Sequence, residues 1–237
     1  MPIVGGATKT VQDAITRAQN EFKGIILGTT DALDFANEIY QIVGTATWWD
    51  WLLTAGTTFG TVANQQDYAN VPADFRRLPE NKAWVNDDSN TFTPMKPLAV
   101  RESLPKSNTR GIPQAISVEN TNFRLFPVPI ITRAASGQWA ILFEYWKLPK
   151  QLTSLADVFE FGDNNFEMFA NGFIARVGQF TNHESAGQWL GRNPQNAQFQ
   201  GTGMWGKFAG MLNNAVREEE LASGTIIQAP DAEFARF

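Results

Sequence analysis

The stretch that decides the fold is Thr61-Val62-Ala63-Asn64-Gln65-Gln66-Asp67-Tyr68-Ala69-Asn70-Val71-Pro72-Ala73-Asp74-Phe75-Arg76-Arg77. Thr57-Thr58-Phe59-Gly60-Thr61-Val62 before it reads as one strand, and Asp67 to Val71 as the next. The polar Asn64-Gln65-Gln66 between them predicts a hairpin. Pro72 closes the segment, as a residue without an amide hydrogen should.

Working outward, β patterning extends from Thr57 to about Pro149. Lys82 to Asn86 and Thr91 to Met95 flank Asp87-Asp88-Ser89-Asn90, a hairpin signal. Ala115 to Glu119 and Asn122 to Phe126 flank Asn120-Thr121 in the same way. Gln138 to Trp146 is the strongest strand: Trp139, Ile141, Phe143 and Tyr145 alternate with Leu142 and Glu144. Leu98 to Leu104 reads as one or two helical turns.

Both flanks are helical. Val11, Ile15, Ala18 and Phe22 share one face of a helix over Thr10 to Phe22, with Thr10 and Asp13 as a capping pair. A second helix is expected from Asp31, as its N-cap, to Val43, with Gly44 ending it. Downstream, Phe166, Phe169, Ala170, Phe173, Ile174 and Val177 line a helix over Asp163 to Phe180. Another is expected from Asn196 to Leu221, with Phe199, Phe208, Met211, Leu212 and Ala215 inward. Glycines at 201, 203, 206 and 210 weaken its first half.

These readings give an α+β chain: a helical bundle formed by the N- and C-terminal segments, with an inserted antiparallel β domain. The boundaries are 1–56 for the N-terminal helices, 57–150 for the β domain, 151–221 for the C-terminal helices and 222–237 for an extended tail.

Composition narrows the function. Charged residues are 18% of the chain, against 43% apolar. A subunit that hides much of its surface against neighbours tolerates so little charge, and so does an ordinary globular domain at the low end of charge. With 19 Lys and Arg against 24 Asp and Glu, the net charge is −5, and no basic run is present. Tight DNA binding normally needs clustered cations. There are no cysteines, which excludes a disulfide scaffold, a thiolate zinc site and a cysteine nucleophile, and fits a reducing cytosol. No signal peptide is visible at the N-terminus, and no run approaches the roughly 20 apolar residues of a membrane span.

Catalytic chemistry is thin. The single histidine, His183, stands beside Glu184, but one histidine assembles no convincing Ser-His-Asp set. Gly201-Thr202-Gly203 lacks the lysine and the preceding strand of a phosphate loop. Asp157, Glu160 and Asp163 fit capping and solvation better than the carboxylate pair of a glycoside hydrolase. Asp87-Asp88 fits turn chemistry better than a calcium site. Trp48, Trp49 and Trp51 could stack on a sugar, which makes a carbohydrate-binding β module of a tail or capsid the alternative reading. Core or interface packing is the commoner use of such clusters.

The order of elements is the informative feature. A helical pair ends in Trp48-Trp49-Asp50-Trp51-Leu52, a threonine-rich strand follows, and then comes the 61–77 stretch. This resembles the head-to-tail adaptor (connector) proteins of short-tailed phages, whose pattern is Thr-Val-Ala-Gly-Gln-x-x-Tyr-x-Leu-Pro-x-Asp-Phe. Asn64 stands here for the glycine and Val71 for the leucine. Gly111-Ile112-Pro113-Gln114-Ala115 leading to Phe123-Arg124-Leu125-Phe126-Pro127-Val128-Pro129, and Leu142-Phe143-Glu144-Tyr145-Trp146-Lys147-Leu148-Pro149, are similar to later motifs of that family. The likeness covers roughly residues 30 to 215.

The resemblance implies a structural virion protein and no catalysis, cofactor or metal. It implies a ring of about twelve copies under the portal, at the head-tail junction of a virion assembled in the host cytoplasm. The implied partners are the portal protein, a downstream tail or nozzle protein, other copies of the chain, and double-stranded DNA passing without specific binding. No membrane is involved. From charge and composition we further expect a subunit that is monomeric or weakly associating before it meets the portal. Acidic side chains are expected to outnumber basic ones on the ring's inner surface. The C-terminal segment is the expected docking arm: Arg217, Glu218, Leu221, Phe234, Arg236 and Phe237 combine charge with aromatic anchors, the usual interface hot spots.

Overall fold

The computed structural model describes residues 6–23, 25–86, 92–98, 108–130, 139–181 and 203–223. It is mixed α+β, with helices towards both ends of the chain and β structure between. Two compact units emerge: residues 1–51 together with 149–237, and residues 52–148.

The helical unit contains α1 (Val11–Glu21), α2 (Thr29–Ala46), α3 (Phe166–Phe180) and α4 (Met204–Ser223). α1 starts where the capping pair places it. The Thr10 side chain accepts from the Asp13 amide, and the Asp13 carboxylate accepts from the Thr10 amide at 2.8 Å, so two orphan donors of the first turn are satisfied. α3 is buried nearly all round, from Phe166 to Gly178, and packs against α1, α2 and α4. A helix apolar on every face belongs at the centre of its unit. The three residues before it, Asp163–Asn165, where the helix is expected to start, form a 3-10 turn.

Other helix boundaries also differ from expectation. α2 begins at Thr29 with Gly28 at the N-cap, so Asp31 sits in the first turn, where it complements the dipole. It also runs past Gly44, which is buried inside the helix. A side chain there would place Cβ 2.0 Å from Cγ of Pro149. The glycine serves the close approach of another segment, and packing overrides its low helix propensity. α4 continues through Ser223, so residues 222 and 223, expected in the tail, are helical. The part of the fourth helix expected at 196–202, including Phe199, lies outside the described residues. So do the turns expected at 99–104 and the tail from 224.

Among its described residues the β unit holds twelve short strands. One sheet has the order β1 (Thr57–Gly60), β11 (Ala140–Phe143), β4 (Ala83–Asn86), β5 (Phe92–Pro94). A second has the order β2 (Asp67–Tyr68), β9 (Asn122–Phe126), β8 (Ala115–Glu119), β6 (Lys96–Pro97). Two ribbons complete the unit. In one, β3 (Phe75–Arg77) pairs antiparallel with β12 (Trp146–Lys147). In the other, β7 (Arg110–Gly111) pairs with β10 (Val128–Pro129). The antiparallel expectation holds for the longer pairs, while β6 with β8 and β7 with β10 run parallel over two residues each.

The hairpins expected at 82–95 and 115–126 are present as β4–β5 and β8–β9. Asn120 turns the second with φ 55°, a left-handed conformation that asparagine tolerates. The hairpin expected between 57–62 and 67–71 is not formed. β1 pairs with β11, and β2 pairs with β9 in the other sheet. The chain crosses from one sheet to the other, and the two strands meet through side chains instead. Phe59 and Tyr68 rings lie 5.2 Å apart in a core with Phe123, Ile141, Phe143 and Tyr145. Trp139, Ile141, Phe143 and Tyr145 are all buried, as their alternation requires.

Candidate functional site

The 61–77 stretch is a brace across the β unit. Thr61 is buried, and both its amide and its hydroxyl donate to the Trp139 carbonyl, at 3.1 and 3.2 Å. Asn64 then adopts φ 62°, the conformation a glycine at this place would supply without steric cost. Its amide donates to the Pro129 carbonyl at 2.8 Å. The Tyr68 hydroxyl closes the loop: it accepts from the Val62 amide at 3.0 Å and faces the Gln65 carbonyl at 2.9 Å. Burial raises its pKa, so it is a neutral structural hydroxyl.

Two further ties start from this stretch. Arg124 projects from β9 between two carboxylates. Its Nε donates to Asp67 at 2.6 Å, and its Nη1 pairs with Glu119 on β8. The bond to Asp67 raises the guanidinium pKa. Downstream, the Tyr145 hydroxyl donates to Asp74 at 2.9 Å. Burial, and then the Asp74 hydrogen bond, push its pKa up to about 12. Phe75, next to Asp74, packs against Phe123 and Tyr145 at 5.8 and 5.5 Å. The three motif segments of the sequence thus converge on one aromatic core. Reading along the chain missed the Arg124 clamp. The available signal was a lone cation between buried Phe123 and Leu125 on an alternating strand.

In the helical unit the tryptophan run also packs. Trp49 is buried, and its Nε1 donates to the Val43 carbonyl at 2.6 Å. Trp51 stacks near Tyr40 and Trp49. Tyr40 meets Phe159 and Phe161 edge-on. Its hydroxyl faces Glu160 Oε2 at 3.1 Å and accepts from the Glu160 amide. Burial and the Glu160 charge raise its pKa. This arrangement fits packing and offers Trp49 no face to a sugar.

The three carboxylates before α3 have separate duties. Asp157 accepts from the Thr153 and Ser154 amides, which lower its pKa. Asp163 accepts from the hydroxyl and amide of Thr8 and from the Lys9 amide, with the same effect. Glu160 holds Tyr40. Among the described residues no group of three or more His, Asp or Glu could hold a metal ion, and no helix is long and apolar enough to cross a membrane. His183, Glu184, Asp87 and Asp88 lie outside the described residues.

Of the expected docking residues, Arg217 and Glu218 are exposed on α4, and Leu221 is 83% exposed. Phe234, Arg236 and Phe237 lie outside the described residues. The neighbouring Glu219 turns inward. Its carboxylate accepts from the Asp50 amide at 2.8 Å, and burial raises its pKa.

A family model described as SU10 adaptor protein matches residues 9–220. The chain belongs to the SU10 adaptor protein family. The match spans both units and contains every motif segment described above. Membership makes the protein a phage adaptor, a structural component of the virion. A search of curated proteins finds no match to this adaptor.

Proposed function

We propose that the adaptor forms a closed ring that joins the portal of the phage head to the tail and continues the DNA channel. The observation that carries this reading is the family match across residues 9–220, whose conspicuous polar side chains brace the fold. Asp67 binds Arg124 and Asp74 binds Tyr145, which suits a part that bears load. Its partners are the portal protein, a downstream tail or nozzle protein, and further copies of itself, about twelve in a closed cyclic arrangement. Duplex DNA passes through without specific binding. Arg217, Glu218 and Leu221, with Phe234, Arg236 and Phe237 beyond them, form the arm that docks on the portal. The work is mechanical and requires no catalysis, cofactor or metal.

Electron microscopy of the purified protein mixed with its portal tests the reading. A closed ring of additional density on the portal is the expected result. Absence of any portal binding refutes it. Mass photometry of the free protein should show monomers or weak oligomers, because the portal templates closure; stable free rings refute that part.

A further inference from the structure

Charge is divided unevenly along this chain. Residues 52–148 carry ten Lys and Arg against eight Asp and Glu, whereas the rest carries nine against sixteen. The β unit is cationic and the helical unit strongly anionic. Several acids of the β unit are also engaged within it: Asp67 and Glu119 with Arg124, Glu144 with Lys82, and Asp74 with Tyr145.

Each unit presents an apolar surface that matches its charge. On the β unit, Gly111 pairs with Pro129 across the parallel ribbon. The next residues on the two strands, Ile112 and Ile130, are 47% and 50% exposed. Arg110, at the start of the same ribbon, is exposed and makes no ion pair among the described residues. On the helical unit, Phe22 packs against Gly178, so the chain after α1 and the end of α3 emerge together. There Ile26 is 93% exposed and Phe180 56% exposed. The Phe180 ring touches Phe35 of α2 at 5.0 Å, and Asp31 and Asp34, both exposed, flank Phe35 on that helix. The Arg176 guanidinium, 5.2 Å over the Phe35 ring, is paired with Glu38 at 2.7 Å, so the two aspartates set the net charge of this rim. Glu21 and Lys23, just before Ile26, offset one another.

A cyclic ring needs heterologous contacts: two different surfaces of one chain, each fitting the other. An apolar centre with a cationic rim and an apolar centre with an anionic rim meet that requirement, and complementary rims set orientation. We propose that the Arg110, Ile112 and Ile130 patch of one copy seats on the Ile26 and Phe180 face, rimmed by Asp31 and Asp34, of a second copy. This rests on the ring reading above and adds which surfaces close the ring.

The chain has no cysteine, so Ile130→Cys places a single thiol in the patch. It is labelled with a benzophenone maleimide, and copies with and without heavy isotopes are mixed on the portal and irradiated. The expected product is a mixed-isotope cross-link to a peptide spanning 26–35 or 176–181 of another copy. A cross-link to portal, to tail protein or to a neighbour's β unit overturns the proposal, as does none in assembled rings. Arg110→Glu is expected to raise the subunit concentration needed for ring closure about fivefold, the size of one surface ion pair. Asp34→Lys in the same chain should restore it; an undiminished defect counts against the pairing. Unchanged melting of each variant shows that folding is intact. If the unaltered protein forms no ring on portal, the ring reading fails and this proposal with it. If it does and the cross-link lands elsewhere, this proposal alone fails.

Discussion

Replacing Gly44 by alanine sets two physical rules against each other. Gly44 lies inside α2, so propensity alone predicts a gain of about 1 kcal/mol. The fold predicts the opposite sign. The new Cβ would stand 2.0 Å from Cγ of Pro149, and 3.1 and 3.2 Å from its Cδ and Cβ. Ordinary carbon contacts lie at about 3.5–4.0 Å, so the segment at residue 149 or the helix must shift by about 1.5 Å. A proline ring has no rotamer to relieve this. That segment is also tied down, since Gln41 Nε2 donates to the Pro149 carbonyl at 3.2 Å. Overpacking of this kind costs about 1–3 kcal/mol, and the clash is at the severe end. The expected net loss is about 2 kcal/mol, or roughly 4–8 °C in Tm for a chain of this size. Thermal melts followed by far-UV circular dichroism read it directly. Pro149→Ala in the same chain opens the space, so the double variant should regain most of the loss, a coupling a mutant cycle isolates. An unchanged or raised Tm for Gly44→Ala alone would refute the packing argument.

Three other variants probe the braces. Asn64→Val forces a β-branched residue to φ 62° and should cost about 1–2 kcal/mol in a denaturant melt, while Asn64→Gly should be near neutral; equal effects would deny the conformational role. Tyr145→Phe removes the bond to Asp74 and should cost about 1–2 kcal/mol at neutral pH. The folded-state pKa of Tyr145 is raised to about 12, so its stabilising share is intact below about pH 10 and is lost as pH rises from there towards 12. The phenylalanine variant should therefore show a flatter alkaline limb in Tm against pH. Asp163 has the opposite sign. Its pKa is held below the ordinary 3.8 by Thr8 and Lys9, so its contribution is present above about pH 4 and disappears as pH falls further. Asp163→Asn should weaken the acid-side dependence of Tm below about pH 4, and an unaltered acid limb would show that the Thr8 contacts carry no linkage.

The sequence by itself determined what depends on near neighbours in the chain. The Thr10–Asp13 capping box, the helical faces of α1 and α3, the β8–β9 turn at Asn120 and the alternation of Trp139 to Tyr145 all follow from spacing within a few residues. The order of motifs from Trp48 to Pro149 carried the family. Tertiary structure alone decided the features whose partners lie far along the chain. Gly44 reads locally as a helix stop, yet it continues α2 because Pro149, more than a hundred residues later, needs the space. Asn64-Gln65-Gln66 reads as a hairpin turn, yet it passes the chain between sheets because β11 and β9 offer better partners to β1 and β2. Arg124 finds Asp67 and Glu119, and Asp74 finds Tyr145, only once the strands are in register. Local patterns fix what each segment can become, but hydrogen bonds and close contacts are satisfied in space, and the spatial neighbours settle which use a glycine, a turn or a lone charge is put to.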